Sequence, residues 1–148
     1  MQWISSLYQR LTGLLDVVAP LGDLAIRLWL ALVFFKSGLT KIQNWDGTLA
    51  LFANEYHVPL LSPALAAISG TFTELFFPIL LALGLATRPA ALVLFVFNII
   101  AVVSYPDLGE VGLKDHQHWG LLLLVPLLHG PGRLAVDELL GKRFGRPM

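Results

Sequence analysis

Five polar side chains, Arg27, Lys36, Glu74, Asn98 and His118, stand inside long apolar runs where lipid-facing sequence would hold none. Their types suggest one chemistry. A carboxylate takes up or releases a proton, an ammonium or guanidinium sets its charge state, and an amide or imidazole bonds to ligand oxygens. Gathered at one depth, they could grip the two oxygens of a quinone and exchange protons with it. The same set would also serve proton-coupled transport. Glu74 carries the most weight. It sits near the middle of its run, too deep to reach either interface, and an ionised group there costs about 2.5–3.5 kcal/mol on insertion scales. It must therefore be protonated, paired or beside a wet cavity.

The runs that must position these groups are membrane spans. A hydrocarbon core of about 30 Å takes about 20 helical residues to cross. Four stretches fit, at 21–42, 64–86, 89–105 and roughly 111–129. Hydrophobic residues are 56% of the 148-residue chain and charged residues 14%, well below the ~25% of soluble domains. Ten basic residues balance ten acidic ones, so no net charge draws the chain to nucleic acid. There is no cysteine, which excludes disulfides, thiolate metal sites, iron–sulfur clusters and a cysteine nucleophile. Residues 1–20 lack the basic start and unbroken apolar run of a cleavable signal.

Trp3, Leu7, Leu11, Leu14, Leu15 and Val18 recur at helical spacing, which predicts an interfacial amphipathic helix over 3–18. A short helix after Asp46, as N-cap, is expected before Val58-Pro59 and Ser62-Pro63 break the chain. The Ala86-Thr87-Arg88-Pro89 turn makes the second and third spans antiparallel neighbours, and Gly130-Pro131-Gly132 ends the fourth before a second interfacial helix at 133–140. The expected fold is all-α: one domain over 1–148, an integral membrane four-helix bundle with an interfacial helix at each end. With both termini in the cytoplasm, the inner side holds Arg10, Arg88, Arg133, Lys142, Arg143 and Arg146, and the outer side only Lys41 and Lys114. That asymmetry sets the expected orientation.

Depth and side-chain direction then suggest partners. Helical side chains lean towards the helix N-terminus, so Lys36 on the first span and Glu74 on the antiparallel second lean towards each other. Arg27 leans the other way, towards Asp23 four residues earlier, and its long stem can snorkel. Lys36 is thus the geometric partner of Glu74. Asn98 falls near the midplane of the third span. His118, followed by Trp119, would orient a ring or else form an interfacial pair. Haem ligation finds no histidines on opposing helices, and Asp107, Glu110, Asp115, His116 and His118 match no strong metal motif; no metal is expected.

Three ordered motifs resemble the DoxX family over about 21–140: Arg27 with Phe34, Phe35, Gly38 and Lys41; Glu74 with Gly84-Leu85-Ala86-Thr87-Arg88; and Gly130-Pro131-Gly132-Arg133-Leu134-Ala135-Val136-Asp137, with Ala135 where serine is common. The resemblance implies a small four-helix inner-membrane protein. Some members are linked to quinone-dependent thiosulfate oxidation, others to redox-stress or catechol-related membrane complexes. It favours Arg27, Lys41 and Glu74 as family positions and makes Lys36 an addition, against the geometric preference. The expectation is a membrane subunit of a quinone-linked redox system with no covalently bound cofactor. Glu74 would handle the proton, Arg27, Lys36 or Lys41 would set its charge, Asn98, His118 and Trp119 would hold the ring, and a partner protein would donate electrons. The alternatives are a carrier for a small solute or protons, and a scaffold that assembles other membrane proteins.

Overall fold

The computed structural model describes residues 2–143, and the side chains of residues 3–143; Arg146, counted above among the basic residues, lies outside them. Six α-helices follow in order: α1 (Gln2–Gln43), α2 (Trp45–Asn54), α3 (Pro63–Leu83), α4 (Thr87–Ser104), α5 (Gly109–Leu124) and α6 (Val136–Arg143). Among the described residues there is no strand. Three helices are long and apolar enough to cross a membrane: residues 3–43 of α1, all of α3 and all of α4.

Three expected boundaries differ, one of them the C-terminal helix, expected at 133–140 and found at Val136–Arg143. The interfacial helix at 3–18 and the span at 21–42 form one uninterrupted helix that runs through Pro20. At 1.5 Å per residue, α1 is about 63 Å long, roughly twice the hydrocarbon thickness. Residues 3–19 are almost wholly exposed, and packing begins at Pro20. The fourth expected span is a composite. The first half of α5, GEVGLKDHQH, is too polar for a span by itself. The helix continues as a single π-turn, Val125–His129, around Pro126, whose missing N–H the wider turn accommodates. This rod packs against α4 and touches α1, completing a four-rod bundle.

Periodicity explains the packing. Buried positions recur at helical spacing on α1 (Arg27, Leu30, Ala31, Phe34, Gly38), α3 (Ala67, Gly70, Thr71, Glu74, Pro78, Leu81) and α4 (Thr87, Ala90, Ala91, Leu94, Asn98). The core centres on Leu30, Phe34, Leu81, Ala91, Leu94 and Leu123. Between these stripes, Leu32, Phe72, Phe76, Ile79, Val96 and Val103 are exposed, as lipid-facing side chains should be. The short α2 lays Phe52 on Ala66 and Ala67 of α3. Its N-cap is Asn44, accepting from Gly47 N at 3.0 Å, and Asp46 falls inside the first turn. Ser62 and Pro63 start α3 as the sequence predicts.

One end of the bundle is closed by a clasp. Arg27 is 1% exposed. It neither snorkels nor bonds to Asp23, which sits 3.5 Å from His129 Nδ1. Its Nη1 donates to the Leu81 and Ala82 carbonyls at 3.2 Å each, and Nη2 donates to the Leu134 carbonyl. The guanidinium therefore meets the carbonyl end of α3, where the helix dipole favours a cation. Gly84 ends α3 in the left-handed region (φ 68°). A Cβ there would collide with Arg27 and come within 2.5 Å of Ala135 Cβ. The start of α4 has no side-chain cap of its own. Asp137 supplies one from α6: its carboxylate accepts from Ala86 N and Thr87 N at 2.8 Å each and from Thr87 Oγ1 at 2.9 Å, while its own N–H donates to the Gly84 carbonyl at 2.9 Å.

Asp137→Ala removes three charge-assisted bonds and is expected to destabilise the bundle by about 2 kcal/mol, whereas Thr87→Val removes one and costs about 1 kcal/mol. Thermal unfolding in detergent measures both. Equal effects from the two variants would mean that Asp137 does not cap α4.

Candidate functional site

Glu74 faces α1 from the buried stripe of α3. It meets Ser37 and Lys41, four residues apart on one face of α1. Lys41 Nζ donates to both carboxylate oxygens, at 2.7 and 2.6 Å, and to Ser37 Oγ at 3.1 Å. Ser37 Oγ donates to Glu74 Oε1 at 3.0 Å. The pair is nearly dry, with 16% of the lysine side chain and 7% of the glutamate side chain exposed. Gly38 allows this closeness. A Cβ there would lie 2.9 Å from Leu75 Cγ and Cδ2 and 3.1 Å from Glu74 Cβ, so any larger residue would push α1 off α3. Thr48 Oγ1 donates to the Lys41 carbonyl at 3.0 Å, tying α2 to the end of α1.

Lys36, the geometric partner, is exposed and does not reach Glu74. It is five residues from Lys41, about 140° away around the helix. Lys41 wins by the reasoning that first favoured Lys36. Its stem leans back towards the α1 N-terminus, which carries a head anchored in the last helical turn down to the depth of Glu74. Arg27 belongs to the clasp, ten residues and about 15 Å before Ser37 along α1.

Beside the pair lies a cavity of about 650 Å³ between α3 and α4, roofed by α2 and the loop after it. Lys41 and Glu74 are its only charged lining residues; Ser69, Thr73 and Tyr56 add hydroxyl-bearing side chains, and the rest is apolar. Leu92, Val96 and Ile100 on its α4 wall are exposed, so it opens towards the acyl chains. Leu60, in the left-handed region (φ 65°), stands fully exposed at its rim. The roof is a ladder of rings: Phe52 on Tyr56 (centroids 4.6 Å apart) and Tyr56 on Tyr105 (4.7 Å). Tyr105 donates its hydroxyl to Glu55 at 3.1 Å. Burial first, and the charge of Glu74 second, push the Tyr56 phenol above its ordinary range, so it stays a neutral hydroxyl.

Asn98 is buried but pairs away from the cavity. Its Nδ2 donates to the His116 carbonyl at 2.9 Å, and its Oδ1 lies 2.7 Å from His116 Nδ1. His118 is exposed, with Nδ1 donating to the Lys114 carbonyl at 2.9 Å. Trp119 packs edge-on against Phe34 and His116. Phe34 in turn meets Phe97, a cavity residue, so rings link the amide–imidazole pair to the cavity wall. Among the described residues, no group of three or more His, Asp and Glu side chains is placed to hold a metal. Sequence reasoning did not single out Ser37 or Tyr56 at all, and weighed His116 only as a haem or metal ligand. Ser37 could have been found from its i, i+4 spacing to Lys41 around Gly38.

The sequence model of the family described as DoxX matches residues 22–106, more than half the chain. The chain belongs to the DoxX family. It is 31% identical to a Bacillus subtilis protein named "Putative oxidoreductase CatD", over 84% of this chain and 92% of that one. It is 34% identical to "Inner membrane protein YphA" of Escherichia coli, over 80% and 90% of the two chains. No solved structure matches. With that kinship and its apolar helices, this DoxX protein is a multi-pass inner-membrane protein. Two of its three resembling motifs, Gly84 to Arg88 and Gly130 to Asp137, contribute to the clasp together with Arg27, while Lys41 and Glu74 border the cavity and Gly38 lets α1 approach α3 beside them.

Stripping one partner from a buried ion pair costs about 3–5 kcal/mol, whereas replacing both by apolar groups is often neutral. Lys41→Met should therefore destabilise the protein by about 3 kcal/mol, and the double variant Lys41→Met/Glu74→Met should recover most of that loss. Additive losses in the denaturation cycle would show that the two residues do not act as a pair.

Proposed function

We propose that this DoxX protein is the quinone-binding membrane subunit of a redox system. The observation that carries this reading is a nearly dry Lys–Glu pair at the floor of a cavity that opens into the bilayer and is otherwise lined by apolar groups and three hydroxyls. Its volume of about 650 Å³ is in the range of small-molecule sites. The ligand that suits it is lipophilic and carries oxygens that accept from an ammonium and trade protons with a carboxylate. A quinone ring meets each requirement. Lys41 donates to one ring oxygen by giving up its longest bond, the one to Ser37. Two electrons from a partner protein reduce the ring, and the two protons that convert it to a quinol pass in turn through the Glu74 carboxyl, which is reprotonated between them. The kinship with CatD, named as an oxidoreductase, supports this class of chemistry.

The charges support an orientation. Arg10, Arg88, Arg133, Lys142 and Arg143 cluster at the clasp end, and Arg146 follows in the sequence. The positive-inside rule places that end, with both termini, in the cytoplasm. The cavity roof then faces the opposite side of the membrane.

Binding of a short-chain ubiquinone to the purified protein tests the assignment. Glu74→Gln is expected to weaken it about tenfold, the worth of one charge-assisted hydrogen bond, and to flatten its dependence on pH. Unchanged affinity with an unchanged pH profile would remove Glu74 from the site. Solute flux through liposomes holding this protein alone would replace the redox reading with a carrier. Orientation has its own measurement, made simple by the lack of native cysteine. In intact cells a membrane-impermeant maleimide should label Glu110→Cys and leave Lys142→Cys unlabelled; the reverse pattern would invert the topology.

A further inference from the structure

A second groove, about 450 Å³, runs between α4 and α5 on the other side of α4 and shares no lining residue with the cavity. Its walls are apolar; Ile99, Val103 and Leu121 are exposed towards lipid, and Asn98, His116 and Gln117 are its polar members. The hydrogen bonds there fix the state of the histidine ring. A backbone carbonyl can only accept, so the Asn98 atom facing the His116 carbonyl at 2.9 Å is the amide nitrogen. The amide oxygen then faces His116 Nδ1 at 2.7 Å. An oxygen acceptor at that distance requires the proton to sit on Nδ1. In the neutral ring, Nε2 is therefore left as a bare lone pair, with no hydrogen-bond partner among the described residues. Gly120 lies beside the pair, where a Cβ would make ordinary contact with Asn98 Nδ2 at 3.4 Å. Trp119, 4.7 Å from the imidazole between ring centroids, steadies its other side.

His116 is half-buried and lines this lipid-facing groove, and an unpartnered acceptor on its ring calls for a donor. We propose that His116 anchors a second binding site, which takes a lipophilic molecule bearing a hydroxyl group that donates to Nε2, with Asn98 as the positioning residue. Apolar walls select the hydrocarbon part of the ligand and the lone pair selects its O–H. This site stands independently of the quinone reading.

Nitrogen NMR of the full chain in lipid nanodiscs, with ¹⁵N-labelled histidine, tests it. The His116 signal, assigned by its loss in His116→Phe, should show the proton on Nδ1 and an unprotonated Nε2. Adding 4-pentylphenol should move the Nε2 resonance, and 4-pentylanisole, which lacks the O–H, should bind about tenfold more weakly. A matching shift with 1-octanol would extend the ligand class to aliphatic alcohols, and its absence would restrict it to phenols. Asn98→Leu should lose the single tautomer and weaken phenol binding by a similar factor. A proton on Nε2, equal binding of phenol and anisole, or binding that leaves the His116 nitrogen unmoved would overturn the proposal. The wild-type comparison of the two probes decides it even where a variant fails to fold.

Discussion

No charge can be left alone in hydrocarbon, and this constraint organises both ends of the bundle. Desolvating an ion costs several kcal/mol, so one that persists must find its counter-charge or a full set of donors and acceptors within a few ångströms. Arg27 answers the demand with three backbone carbonyls that leave its Nε without a partner, and Glu74 with an ammonium and a hydroxyl. Each solution requires helices at fixed separations. The crossing of α1 and α3 is thereby pinned twice, at Gly38 and at the Arg27–Gly84 contact.

The two pins differ in what they leave open. At the clasp, both terminal nitrogens of the guanidinium donate to carbonyls, the Asp137 carboxylate accepts from two N–H groups and a hydroxyl, and Gly84 packs against Arg27 and Ala135. Such a site holds helix ends, with Arg27 Nε the one buried nitrogen there that has no partner among the described residues. At the other end, the Lys41–Glu74 pair borders an unfilled volume. Family resemblance by itself does not separate these cases, because Arg27, Gly84 and Asp137 sit in motifs as recognisable as those of Lys41 and Glu74. The separation comes from their surroundings: Lys41 and Glu74 border a largely apolar cavity that opens to lipid, whereas the volume beside the clasp is lined by several charged groups.

How far the sequence discloses this varies by residue. Glu74 and Asn98 lie on the same stripes as Ala67, Gly70, Leu81 and Ala91, Leu94, so their burial follows from counting along the helix. Lys36 and His118 lie off any such stripe, and depth alone misassigns them. Their neighbours Lys41 and His116 share the sequence region but point inward. The partners of Arg27 are backbone atoms 54, 55 and 107 residues away, and backbone carbonyls carry no sequence signature. The expected helices at 3–18 and 21–42 are one helix, α1, which runs through Pro20, since no tertiary contact asks the preceding residues to turn. The polar start of α5 is visible in the sequence as it stands. Its role as a flank that completes the bundle depends on contacts with α4 and α1.

The cavity and the pair bear on each other's meaning. A buried ion pair can often be replaced by packed apolar side chains with no loss, or with a gain of about 1–4 kcal/mol. The cavity opens to the acyl chains, so at this place the helices likewise forgo packing against one another. Either feature alone could be incidental to the packing of four helices. Side by side they forgo close packing and place charge at one lipid-facing spot, whereas the volume of about 610 Å³ at the opposite end is lined by charged groups such as Asp23, Arg88 and Asp137. Gly38 shows that close packing is available to this interface, and the Phe52–Tyr56–Tyr105 ladder shows that side chains large enough to fill the space lie beside it and form its roof instead. A fold shaped by stability alone would close that gap and remove that pair. Their coexistence is best explained by a molecule from the bilayer that completes the packing and uses the charges.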